Sequence, residues 1–122
     1  MNTNNLILVI DDEEEIRVLL KRFLTKKGYE VVSAGSVMEG RIALNRERPF
    51  LIFLDINLPD GNGLEELKII NSEEHPYQVI MMSAFDDKEV RSEALNFGAI
   101  DFLSKPFNIA QLNELVKNQI KS

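Results

Sequence analysis

The sequence predicts a three-layer α/β/α sandwich built on a five-stranded parallel sheet. Two observations carry that expectation. Short apolar runs alternate with amphipathic stretches along the chain, the pattern of repeated strand–helix units. In addition, polar groups stand just beyond four of the runs: Asp11 and Asp12 after Leu6–Ile10, Asp55 after Phe50–Leu54, Ser83 after Val79–Met82, and Lys105 beyond Ile100–Leu103. The carboxyl ends of all strands in an open parallel sheet lie along one edge, so these groups are expected to meet there. Right-handed crossovers make the sandwich the simplest way to cover both faces.

Each element has its own signal. In the first helix Ile16, Leu19, Leu20, Phe23 and Leu24 recur at helical spacing, and Gly28 is placed to end it. A second strand spans Glu30–Ser33. Ser36 and Glu39 form a capping pattern for a helix that stops before Pro49. Phe50–Leu54 is apolar throughout, which suits a central strand covered on both faces. The segment from Asn57 to Gly63, with Pro59 and two glycines, reads as a mobile loop before a helix carrying Leu64, Leu67 and Ile70. Asp86 with Glu89 is a capping pattern for a fourth helix bearing Val90, Ala94 and Leu95 and stopped near Gly98. Asn108 caps the last helix, whose apolar stripe is Ile109, Leu112, Leu115 or Val116, and Ile120.

Length and charge narrow the function. The chain has 122 residues, the size of one domain with one core and no need of disulfides, and it contains no cysteine. Residues 1–122 are read as a single domain with residues 1–5 as a flexible tail. Fourteen Lys and Arg face 20 Asp and Glu, and the net charge of −6 speaks against a nucleic-acid surface. The first apolar run is too short for a signal peptide or membrane span, so a cytoplasmic location is expected.

The chemistry-bearing residues also have plainer readings when taken singly. Asp11 to Glu15 could be an acidic helix start, Asp55 a turn aspartate, Ser83 a local capping hydroxyl and Lys105 a solvated lysine. Their joint placement at strand ends favours a site. Three clustered carboxylates repel by roughly 4 kcal/mol per pair at 4 Å and an effective dielectric near 20, so a compensating hard divalent cation is implied. His75, beside Pro76, is read as a solvated loop residue, Met81, Met82, Phe50 and Phe53 as core, and Glu13–Glu15 as a solvated helix start.

Four motifs, Val9-Ile10-Asp11-Asp12-Glu13, Leu54 through Gly63, Met82-Ser83-Ala84 and Ser104-Lys105-Pro106-Phe107, resemble those of response-regulator receiver domains of two-component signalling, in the family's order and spacing. The resemblance implies the flavodoxin-like strand order 2-1-3-4-5. It implies a phosphoacceptor that takes a phosphoryl group onto Asp55 and catalyses its own modification without being a turnover enzyme. Magnesium, or manganese in its place, would be bound by Asp12, Asp55 and the Asn57 main-chain carbonyl, with Asp11 acting through a water. Lys105, Ser83 and the Ala84 amide would bind the phosphoryl group. Ser83 and Phe102 would form the switch, and Lys105-Pro106 would be a cis peptide. Ser83 stands where many relatives carry threonine, and Phe102 lacks the hydroxyl of the tyrosine common at its position. The implied partners are a histidine kinase or phosphotransfer protein, a downstream effector at the surface of the fourth helix, fifth strand and fifth helix, and a phosphorylation-dependent homodimer. Two other classes fit parts of the pattern. One is a magnesium-dependent small-molecule phosphatase or phosphotransferase with an aspartyl nucleophile, disfavoured by small size and by Asn57. The other is a flavin binder, whose phosphate would face three carboxylates.

Overall fold

Five parallel strands form the sheet: β1 (Leu6–Ile10), β2 (Glu30–Ala34), β3 (Leu51–Asp55), β4 (Gln78–Ser83) and β5 (Asp101–Ser104). Their spatial order is β2-β1-β3-β4-β5, as the resemblance implied. The computed structural model describes residues 4–72, 77–85 and 87–120. The readings made for residues 1–3, His75, Asp86 and Lys121–Ser122 therefore lie outside the described residues.

Five helices cover the sheet: α1 (Glu14–Lys26), α2 (Val37–Glu47), α3 (Gly63–Asn71), α4 (Lys88–Asn96) and α5 (Ile109–Gln119). Strand alternation divides the interior into two cores. Ile7, Val9, Phe53, Ile80 and Met82 meet Leu20, Phe23 and Leu24 of α1 and Leu112, Leu115 and Val116 of α5. Leu8, Ile10, Ile52, Leu54, Val79 and Met81 meet residues of α2, α3 and α4. All five residues of β3 are buried, because β1 and β4 flank it and helices lie on both faces. Among the described residues, no helix is long and apolar enough to cross a membrane.

The strand ends differ from the sequence reading by one residue. Asp55 and Ser83 are the last residues of β3 and β4 rather than the first beyond them. Ladder hydrogen bonds therefore hold their backbones, a consequence of pairing that an apolar run does not display. Ile109 and Leu95 face solvent instead of joining their helices' apolar stripes. Phe50 is only partly buried, whereas Phe53 is fully so.

Capping follows the sequence at most helices. Gly28 and Gly98 adopt left-handed backbones just past α1 and α4, where glycine has no Cβ to clash. Asn108 and Gln111 make a reciprocal capping box on α5. The cap of α4 is Asp87, whose Oδ1 accepts the Val90 N–H at 2.8 Å, one residue later than the pattern at Asp86 suggested. Asn4 and Asn5 donate side-chain hydrogen bonds to the carbonyls of Arg48 and Gly28.

Candidate functional site

The carboxyl edge of the sheet gathers the predicted polar residues. Asp11 follows β1 directly; its N–H donates to the Ala34 carbonyl and its own carbonyl accepts from Arg17 Nη1 at 2.7 Å, so the turn into α1 is held from both sides. Its side chain is fully buried, with Oδ1 accepting the Glu13 N–H at 2.9 Å. Asp12, next along, is exposed. Ligand oxygens of Asp11, Asp12 and Asp55 all lie within 4.8 Å of one another.

Lys105 crosses to this cluster from beyond β5. Its side chain is 8% exposed, and Nζ lies 2.8 Å from Asp11 Oδ2, 2.7 Å from Glu13 Oε1 and 3.4 Å from Asp55 Oδ2. The peptide from Lys105 to Pro106 is cis, as the resemblance implied, and the Lys105 N–H donates to the Ser83 carbonyl at 2.8 Å. Ser83 is buried, and its Oγ accepts the Phe85 N–H at 2.9 Å. Ala84 is exposed at the mouth.

Charge in the site is unbalanced. Burial, reinforced by the nearby Asp11 carboxylate, pushes Asp55 up to about 6 despite the opposing pull of Lys105. Burial also raises Asp11, against the lowering effect of Lys105 and the Glu13 amide. Burial alone would depress the Lys105 ammonium, but the close carboxylates of Asp11 and Glu13 outweigh it and hold it above the usual lysine range. One ammonium thus serves three carboxylates.

This donor set fits a hard cation. Carboxylate oxygens are the ligands magnesium and manganese take, and among the described residues Asp11 Oδ2 is buried with no aligned hydrogen-bond donor, 2.8 Å from the Lys105 ammonium. Asn57 stands two residues beyond Asp55, at the start of the turn that follows β3.

That turn is better ordered than its composition suggests. Asn57–Leu58 and Gly61–Asn62 pair as a short antiparallel ladder, Leu58 is buried, and the Asp60 carboxylate accepts the Val37 and Met38 N–H groups at 2.7 and 3.1 Å. These contacts hold Asp60 below the usual carboxylate range. The expected mobile loop is instead fastened to α2.

Two residues of the region had no distinct signal in the sequence. Glu13 looked like part of a solvated acidic run, yet it reaches Lys105 across 92 residues of chain. Arg91 of α4 lays its guanidinium 4.8 Å from the Phe102 ring centroid and donates to Ser104 Oγ at 3.1 Å. Phe102 itself is 5% exposed, so the aromatic of β5 is tucked inward under that guanidinium.

A doubly wound parallel sheet whose carboxyl edge brings three aspartates and a lysine together is a site for cation-assisted phosphoryl chemistry, and the comparisons assign it to the phosphoacceptor modules of two-component signalling. The chain belongs to the response regulator receiver domain family, whose model matches residues 7–117. It is 32% identical over 117 residues to sporulation initiation phosphotransferase F of Bacillus subtilis, covering 96% of this chain and 94% of that one. It is 36% identical to the alkaline phosphatase synthesis transcriptional regulatory protein PhoP of the same organism, but there it spans 48% of the relative's length. A solved receiver domain protein from Methanospirillum hungatei, described as CheY-like, superposes with a TM-score of 0.87 at 32% identity, covering 96% of this chain and 94% of that chain. Members of this family are signalling modules and not conventional turnover enzymes, and the small-molecule phosphatase alternative finds no support among these relatives.

Proposed function

We propose that Asp55 is the phosphoacceptor and that the domain, read as residues 1–122, catalyses its own phosphorylation from a histidine kinase or phosphotransfer protein. The observation that carries this reading is the placement of Asp55, a nearly buried carboxylate at the end of the central strand, within reach of the Lys105 ammonium and grouped with Asp11 and Asp12. A carboxylate oxygen of Asp55 attacks phosphorus in line. The bond from phosphorus to the donor's nitrogen or oxygen breaks, and its electron pair leaves with the donor.

In this reading Asp12, Asp55 and the Asn57 carbonyl would hold magnesium, with Asp11 acting through a water. A cation held there would neutralise charge at the carboxylates and at the transferred oxygens. Lys105 donates to an equatorial phosphoryl oxygen, as do the Ser83 hydroxyl and the Ala84 N–H. Burial of Asp11 and Asp55 keeps the reacting group in a medium where these charges act strongly. The output surface is formed by α4, β5 and α5, where a downstream effector or a second copy would dock. The cytoplasm is the compartment this reading assigns.

The test is to incubate the protein with magnesium and acetyl phosphate and follow intact mass. We expect one base-labile phosphoryl adduct, mapped to Asp55 and absent in Asp55→Asn. Sustained hydrolysis with no aspartyl species, or an adduct that survives Asp55→Asn, would refute the assignment.

A further inference from the structure

The geometry points to Glu13 as a positioning residue that competes with the incoming phosphoryl group for Lys105, and so sets the rate at which the domain is phosphorylated. This inference rests on the reading of Asp55 as phosphoacceptor. Three observations carry it. First, Glu13 Oε1 is the nearest acceptor to Nζ, at 2.7 Å, and the contact is an aligned hydrogen bond, whereas the buried Asp11 Oδ2 has charge proximity only.

Second, Glu13 occupies the cap position of α1 with an extended backbone, yet its side chain makes no capping hydrogen bond. Helix starts favour Ser, Thr, Asp or Asn there because a short side chain can reach back to the exposed N–H groups. The glutamate leaves α1 uncapped and reaches toward Lys105 instead. Asp11 Oδ1 accepts the Glu13 N–H, which fixes the backbone from which the side chain extends.

Third, Glu13 stands apart from the other carboxylates at the site. It is not one of the three whose oxygens cluster within 4.8 Å, and its side chain is 57% exposed. Glu13 therefore keeps its claim on Lys105 whatever the three clustered carboxylates hold. An ammonium has three N–H donors. With Asp11 Oδ2 at 2.8 Å and Asp55 Oδ2 at 3.4 Å besides Glu13, three acids share those three donors, so donation to a phosphoryl oxygen on Asp55 competes with the bond to Glu13, and the exposure of that carboxylate keeps the bond weak enough to yield.

The test compares wild type with Glu13→Gln, which keeps the length and removes the charge, and with Glu13→Asp, which keeps the charge but is one methylene shorter. Phosphorylation by acetyl phosphate with magnesium is followed by intact mass. The Lys105 ammonium is followed by NMR in the absence of phosphodonor. We expect both variants to phosphorylate faster, by up to about fivefold, the scale of one partly exposed ion pair. Both should also exchange the Lys105 ammonium protons with water faster than wild type. A loss of helix stability alone would move neither reading in that direction. Variants that phosphorylate at the wild-type rate or more slowly, while wild type forms its Asp55 adduct, overturn the inference and leave the phosphoacceptor reading standing. A wild type that forms no Asp55 adduct defeats the phosphoacceptor reading instead. In that case unchanged ammonium exchange in Glu13→Gln would still dispose of the tether.

Discussion

At the scale of single residues, the site is governed by the shortage of positive charge around Asp55. In the absence of a divalent cation this carboxyl is pushed up to about 6, by burial first and by Asp11 second. The native state therefore holds a proton on Asp55 across pH 4 to 6, where the unfolded chain has released it. Linkage then requires stability to fall as pH rises through that window. Asp55→Asn removes the penalty, so in chelator-containing buffer it should raise the melting temperature at pH 8, by the order of 2 to 3 kcal/mol of stability, with the gain vanishing near pH 4. Thermal melts of both proteins across this range check it, and a gain independent of pH would show that packing, not charge, is responsible. Asp12, although grouped with Asp11 and Asp55, is exposed.

At the scale of elements, the connection from β3 to α3 shows how backbone constraints position chemistry. Gly63 opens α3, and its N–H donates to the Ile56 carbonyl at 2.6 Å. A Cβ there would overlap the Asp55 carbonyl and come within 2.8 Å of the Ile56 Cα, both rigid backbone atoms. Gly63→Ala must push the turn away from the strand that carries Asp55. We expect a loss of about 1 to 3 kcal/mol in urea unfolding, the range for overpacked sites, together with slower phosphorylation. Unchanged stability and rate would mean that the turn yields without disturbing Asp55.

The start of α2 shows cooperation between distant elements. Asp60 takes the Val37 and Met38 N–H groups, Ser36 Oγ takes that of Glu39, and the Glu39 carboxylate turns back to the Gly35 N–H at 2.6 Å. The Ser36 and Glu39 pattern was legible because capping is local. The contribution of Asp60 was not, because it comes from a turn 22 or 23 residues away.

At the scale of the whole molecule, the two cores on either side of the sheet link the site to a remote face. Phe102 lies in the core shared with α2, α3 and α4, capped by Arg91, while Ser83 is engaged by the Phe85 amide. In the proposed function, drawing the Ser83 hydroxyl toward a phosphoryl group would break or weaken that local bond, and the rearrangement would reach β5 through the adjacent ladder that pairs Met81 with Phe102 and Ser83 with Ser104. A full shift from 1:99 to 99:1 takes about 5.5 kcal/mol, attainable with a few charge-assisted hydrogen bonds. We expect phosphorylation to move amide chemical shifts throughout α4, β5 and α5. Changes confined to the surroundings of Asp55 would contradict this coupling.

By itself the sequence determined which segments become strands and helices, most of the caps, and the set of polar residues delivered to the carboxyl edge. Each of these depends on periodicity or on turn chemistry within a few residues, and the motif resemblance added the strand order. Only the tertiary structure decided that Asp55 and Ser83 end their strands, that the turn after Asp55 is fastened to α2, that Glu13 holds Lys105, and that Arg91 covers Phe102. Those outcomes depend on distances between elements remote in the chain and on the burial that perturbs Asp55, quantities that arise only when the layers are packed together.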